Sequence, residues 1–201
     1  MEAAELRCYE VTPGIDLTKL KRQYRFITMR GEELAIRVTI YNDDRSKKTL
    51  LMTHGYCMAS VYFAKLLPAL AEHYRIVMFD NLGWGLNSRT MEVGDALESA
   101  AKAEEYLVEW WHSLITELGD DLPPKFYLSG HSAGGAMSML YAIHHPERIE
   151  GLFLQSPACI EDLTDQVYDP YTIRLSDAED VCPSRAEADK MIASFANNAH
   201  I

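Results

Sequence analysis

The chain has 201 residues, 48% of them apolar and 24% charged, enough to bury a substantial core in one domain and too apolar for general disorder. A formal net charge of −11 argues against broad contact with nucleic acid or anionic headgroups, because a like-signed surface repels phosphate instead of releasing counterions from it. Cys8, Cys57, Cys159 and Cys182 show no CxxC or Cys/His ligand spacing, and Met1-Glu2-Ala3-Ala4-Glu5 lacks a signal pattern, so a cytoplasmic chain with reduced thiols and no metal is expected.

In chain order, residues 25–29 and 33–41 alternate in polarity and are rich in Ile, Val, Thr and Tyr, with Arg30-Gly31 marking a turn between them; this predicts an antiparallel hairpin. Short apolar runs at 49–53 and 75–79, joined by a helix-like stretch over 59–72, predict a βαβ unit. A long amphipathic stretch over 96–118 leads through Gly119 and Pro123-Pro124 to a third buried-type strand at 126–129. A small-residue helix then runs from Ala133 to about His145, stops before Pro146, and gives way to a strand over 149–155. The result is an α/β three-layer fold with a mostly parallel sheet. Its core is residues 1–157, and an acidic region over 158–201 begins a cap. Within that region Pro183, the capping-box pattern Ser184-Arg185-Ala186-Glu187 and the spacing of Met191, Ile192 and Phe195 predict one more helix. No uninterrupted apolar run approaches the roughly 20 residues of a membrane span, so any membrane contact would be peripheral.

Gly130-His131-Ser132-Ala133-Gly134 matches G-x-S-x-G between a strand and a helix. In that sharp turn the serine is thrust out of the backbone, and only small neighbours permit the close approach, hence Gly130 and Gly134. Ser132 is the candidate nucleophile. The amide of Ala133, at a helix N-terminus, points at the oxygen that becomes negative in a tetrahedral intermediate. His54-Gly55-Tyr56-Cys57 follows an earlier strand, and its turn can aim a second amide there; Tyr56 is assigned as that donor, with Cys57 as the alternative. His54 and His131 are expected to be structural supports. The loop Asp80 to Ser88 lacks the G-x-G-x-x-G spacing and is expected to be a tight strand-to-helix loop carrying Trp84 near the pocket mouth. Tyr56, Met58 and Trp84 are expected to make that pocket apolar, and its three loops carry no Lys or Arg before Arg89.

Through His54-Gly55, Asp80-x-x-Gly83-x-Gly85, Gly130-x-Ser132-x-Gly134 and Ser156-Pro157, the sequence resembles an α/β-hydrolase of the abhydrolase-domain type. The phrase Phe79-Asp80-Asn81-Leu82-Gly83-Trp84-Gly85 with Glu109-Trp110-Trp111 is most similar to the lipid-directed branch that includes the lipid-droplet lipase coactivator. That resemblance implies a serine esterase or lipase acting on a lipophilic ester, such as an acyl glycerol or phospholipid-like molecule. It implies no cofactor, and its membrane or lipid-droplet contact is peripheral. Two departures stand out: Asn87 occupies a loop position where the family usually has Ser, and Ser132 is kept where the coactivator has lost its nucleophile.

The family order places an acid and then a histidine after the serine, on loops following later strands. Here His144 and His145 lie along the helix that Ser132 opens, about 18 Å away at 1.5 Å per residue. His200 has no predicted strand before it, and Asp162, Asp165 and Asp169 fall in the acidic cap region. The sequence is therefore expected to stop before its acid and base. The rival reading is a non-catalytic hydrolase-fold binding or scaffold module, or an incomplete gene product.

Overall fold

The computed structural model describes residues 1–89 and 94–158. Helix α1 (Glu2–Val11) precedes strands β1 (Leu20–Met29) and β2 (Glu32–Tyr41), which form the expected hairpin with Met29 opposite Glu32. Its two-residue turn has φ of 51° at Arg30 and 84° at Gly31, the left-handed pair whose twist matches that of the flanking strands. Strands β3 (Lys48–Thr53), β4 (Tyr74–Phe79), β5 (Phe126–His131) and β6 (Ile149–Gln155) are parallel, and the sheet order is β1-β2-β4-β3-β5-β6. Only β1 with β2, and β2 with β4, pair antiparallel. Strand β6 is an edge, with β5 its only strand partner among the described residues.

The alternation of side chains divides the core into two layers. Leu51, Val77, Phe79 and Leu128 face helices α3 (Ala100–Glu117) and α4 (Ala133–His144), together with Trp110, Trp111, Leu114 and Ile115. Leu50, Met52, Ile76 and Met78 face the other way, onto Tyr9 of α1 and onto Phe63 and Leu67. Helix α3 starts on Ser99, whose hydroxyl accepts the Lys102 amide at 3.2 Å, and stops at Gly119 with φ of 48°.

Two local departures have physical causes. The single helix expected over 59–72 is a 3₁₀ segment, Ser60–Leu66, followed by the one-turn helix α2, Leu67–Leu70. Pro68 lacks an amide hydrogen, and its ring would collide with the carbonyl of Ala64 in one continuous helix. Helix α1 lies outside the sequence expectations because an ion pair anchors it, not a broad apolar stripe. Glu5 bonds the buried Arg37 at 2.7 Å and Arg22 at 3.1 Å, and Tyr9 is the other buried residue of the helix. No helix among the described residues is long and apolar enough to cross a membrane. The expected helix near 184–195, with Asp162, Asp165, Asp169 and His200, lies outside the described residues.

Candidate active site

Ser132 sits between β5 and α4 with φ of 52° and ψ of −119°, a backbone conformation costing of order 1–3 kcal/mol for a non-glycine residue. Its surroundings over-determine it. The Ser132 amide donates to the Gln155 carbonyl at 3.0 Å. The Ser132 carbonyl accepts from Gly135 and Ala136 within the first turn of α4, and from Ala158 at 3.0 Å. Strand β6 and the residues after it thus grip the turn from one side. From below, a Cβ on Gly130 would lie 2.2 Å from the Gly134 carbonyl oxygen, and one on Gly134 would lie 2.4 Å from the His54 carbonyl oxygen. Gly135, which the sequence reading left aside, packs against Pro157: a Cβ there would lie 2.7 Å from the proline Cβ.

The loop after β3 meets this turn directly. A Cβ on Gly55 would be 3.0 Å from both Ser132 Cβ and His131 Nδ1, so the loop approaches the elbow too closely to leave ordinary room for a side chain there. Gly55, Tyr56 and Ala133 line one cavity of about 190 Å³ with Asn81, Leu82, Trp84, Leu107, Trp110 and Met137. The two assigned oxyanion donors therefore share a cavity wall beside Ser132, although Ser132 itself is not among the lining residues. Trp84 forms that wall with Tyr56, their rings edge-on with centroids 4.7 Å apart. Met58 does not line the cavity, contrary to expectation. Its place is taken by Leu107, Trp110 and Met137, which α3 and α4 bring from distant parts of the sequence. The sequence marked α3 as amphipathic without assigning any of its residues to the cavity.

His54 is fully buried and bridges two loops. Its Nε2 accepts the Asn81 amide at 2.9 Å, which leaves Nδ1 as the protonated nitrogen, donating to the Gly55 carbonyl at 2.8 Å. The Asn81 side chain returns a bond to the His54 carbonyl at 2.8 Å. Burial pushes the His54 imidazole below its usual pKa, only partly opposed by the Gly55 carbonyl and the charge of Asp80. Both ring nitrogens are engaged, as a structural role requires. His131 is half-buried; its ring lies 4.8 Å from that of Tyr62, and its Nε2 is 3.4 Å from the Tyr62 hydroxyl.

The loop after β4 is the most strongly pinned of the three. Asp80, buried to 1% exposure, accepts the Ser60 amide at 2.7 Å and hydroxyl at 2.5 Å through Oδ1, and the Leu86 amide at 2.9 Å through Oδ2. A Cβ on Gly85, whose φ is 55°, would fall 2.0 Å from that Oδ2. Asn87 fills its departure from the family pattern by bridging: its Oδ1 accepts the Arg37 amide at 2.5 Å, and its Nδ2 donates to the Asn81 carbonyl at 3.0 Å and to the Asp80 carbonyl. Ser88 continues the pairing, with its hydroxyl accepting the Ala35 amide at 2.9 Å. Asp80 and Asn87 are thus joints of the site, which the glycine pattern alone did not mark.

Cys57 is exposed with φ of 58°. Among the described residues no group of three His, Cys, Asp or Glu side chains is placed to hold a metal ion.

Comparison with known proteins extends this picture. Residues 48–180 match the family described as alpha/beta hydrolase fold. The chain is 30% identical over 142 residues to a probable 1-acylglycerol-3-phosphate O-acyltransferase of Oryza sativa subsp. japonica, covering 70% of this chain and 32% of that protein. It is 26% identical over 133 residues to the (lyso)-N-acylphosphatidylethanolamine lipase of Mus musculus, covering 66% of this chain and 37% of that one. The chain spans about a third of the length of these curated relatives. Naproxen esterase from Bacillus subtilis superposes with a TM-score of 0.58 at 17% identity over 78% of this chain and 48% of its own, a likeness of fold.

Proposed function

The chain belongs to the α/β-hydrolase fold family, and we propose that it acts on lipophilic carboxylic esters by acyl transfer from Ser132. The observation that carries this reading is the strained Ser132 between β5 and α4, beside a cavity whose wall includes Tyr56 and Ala133. In the proposed reaction Ser132 Oγ attacks the ester carbonyl carbon. The carbonyl oxygen becomes an oxyanion held by the Ala133 and Tyr56 amides, the alcohol leaves with a proton, and water then releases the acid. The apolar lining of Leu82, Trp84, Leu107, Trp110 and Met137 suits an acyl chain. The lipid substrates in the names of the rice and mouse relatives support the same class.

A second reading, a binding module that keeps the pocket without turnover, is favoured by one observation: no imidazole among the described residues bonds Ser132. Prolonged incubation of the full chain with an alkyl fluorophosphonate, followed by peptide mapping, tests the first reading. The expected adduct is on Ser132, is absent in Ser132→Ala, and is suppressed by competing acyl esters. Equal incorporation in Ser132→Ala, or protection by nucleotides but not by esters, would overturn it.

A further inference from the structure

We infer that the cavity beside Ser132 selects uncharged acyl groups of about seven or eight carbons and gives no added hold on a longer chain. The inference rests on the pocket half of the proposed function and narrows its substrate class by chain length. An apolar cavity of about 150 Å³ takes a six-carbon ring such as benzene. The cavity here is about 190 Å³, which on the same scale holds about seven or eight carbon-sized groups. It is smaller than the roughly 300 Å³ at which pockets for drug-sized ligands begin. An acyl group of about sixteen carbons would need about twice the volume.

The walls resist lengthening. Trp110 is buried, and its ring stands edge-on to those of Phe79 and Trp111, with centroids 5.7 and 6.4 Å away. Phe79 and Trp111 are themselves fully buried, so moving Trp110 means repacking a dense core. Leu107 of α3 and Met137 of α4 line the cavity as well; both are half-buried and packed against the same core. Leu82 and Trp84 lie on the loop that the Asp80 carboxylate closes by accepting the Leu86 amide at 2.9 Å. With the ester carbonyl at the Tyr56 and Ala133 amides, the apolar walls are left to the chain. Each methylene they take from water contributes about fourfold in affinity, and each one beyond them stays in water and contributes nothing. None of the lining residues carries a charge, so a carboxylate at the end of the chain would lose its hydration without gaining a partner.

The test is calorimetric binding of methyl butanoate, hexanoate, octanoate, decanoate and dodecanoate to the full chain carrying Ser132→Ala, which removes turnover. The expected result is affinity rising about fourfold per methylene up to octanoate and changing by less than about twofold from octanoate to dodecanoate. Monomethyl suberate, of the same length as methyl octanoate but ending in a carboxylate, should bind at least about tenfold more weakly than it. Leu107→Ala and Met137→Ala each shorten a wall side chain to a methyl and should move the break out toward decanoate, whereas Leu107→Trp should draw it in toward hexanoate. The two alanine variants sit on different helices, and thermal unfolding checks that each is folded, so misfolding of one leaves the other to decide. Affinity that keeps climbing through dodecanoate, a break that stays in place in every folded variant, or monomethyl suberate binding as tightly as methyl octanoate would overturn the selection. Fluorophosphonate labelling of Ser132 is read separately in the unsubstituted chain. A break at octanoate without labelling keeps the cavity and sinks the acyl transfer, and labelling without a break does the reverse.

Discussion

His54 carries no chemistry in the proposed reaction, yet it sets how the site responds to acid. Folded, it is held neutral by burial and by the Asn81 amide pointing at Nε2, so its pKa lies below the ordinary value near 6.5. An unfolded chain takes up that proton first as the pH falls. Stability from this group is therefore fully present above about pH 6.5 and is lost as the pH drops toward the lowered folded value. His145 adds to the trend in the same direction. It is stacked on His112 at 4.6 Å, and burial followed by the neighbouring His112 charge lowers its pKa. Chemical denaturation between pH 7.5 and 5 should thus show stability falling with acid, with a shallower slope in His54→Gln and a shallower one still when His145→Gln is added. An unchanged slope in both variants would mean that neither imidazole is held neutral by the fold. The sharp turn at this scale was legible in sequence because only certain residue types satisfy its geometry, as with Ser132 and its flanking glycines. Asp80 and Asn87 were marked only by their places in the motif, and their bonding roles were not legible because their partners, Ser60 and Arg37, are 20 and 50 positions away.

The elbow joins β5 to α4 through two glycines that no larger residue can replace. A methyl on Gly130 would meet the Gly134 carbonyl oxygen at 2.2 Å and Ser138 Oγ at 2.4 Å, and backbone cannot yield as the end of a long side chain can. Gly130→Ala should therefore cost about 3 kcal/mol, the upper part of the overpacking range, and should displace Ser132 relative to the loop at Gly55. Thermal unfolding and fluorophosphonate labelling check the two effects together: full labelling with unchanged stability would show that the turn tolerates the methyl. The strands were legible at this scale because their apolar runs are short and bounded by turns, and their alternation assigns each side chain to one helical layer. Helix α1 was not, because its anchor is the Glu5–Arg37 pair, invisible to any periodicity count. The segment over 59–72 misled for the opposite reason: its apolar spacing suits a helix, and Pro68 breaks it.

At the scale of the whole molecule, the sheet brings Ser132, the proposed nucleophile, and its assigned oxyanion donors to one end, where the imidazoles of His54 and His131 face other partners, and the remaining described histidines lie away from it. His54 is occupied at both nitrogens, and the His131 ring lies tilted against that of Tyr62. His144 bonds Glu104 at 3.1 Å, His112 and His145 stack on each other, and His73 precedes β4 at the far end of the strands. None is placed to take the Ser132 proton. Loss of the histidine from a serine triad costs on the order of 10⁶ in kcat, while the oxyanion contacts and binding that remain still give about 10³ to 10⁴ over water. The 201-residue chain is therefore expected to bind acyl esters and to hydrolyse them very slowly. Steady-state assays with p-nitrophenyl hexanoate, run beside Ser132→Ala and His200→Ala, decide it. Turnover on the order of 1 s⁻¹ or faster, within the usual enzymatic range and lost in both variants, would place the base at His200 and overturn the expectation. A slow rate that falls in Ser132→Ala but not in His200→Ala is what a nucleophile and an oxyanion hole working without an imidazole would give.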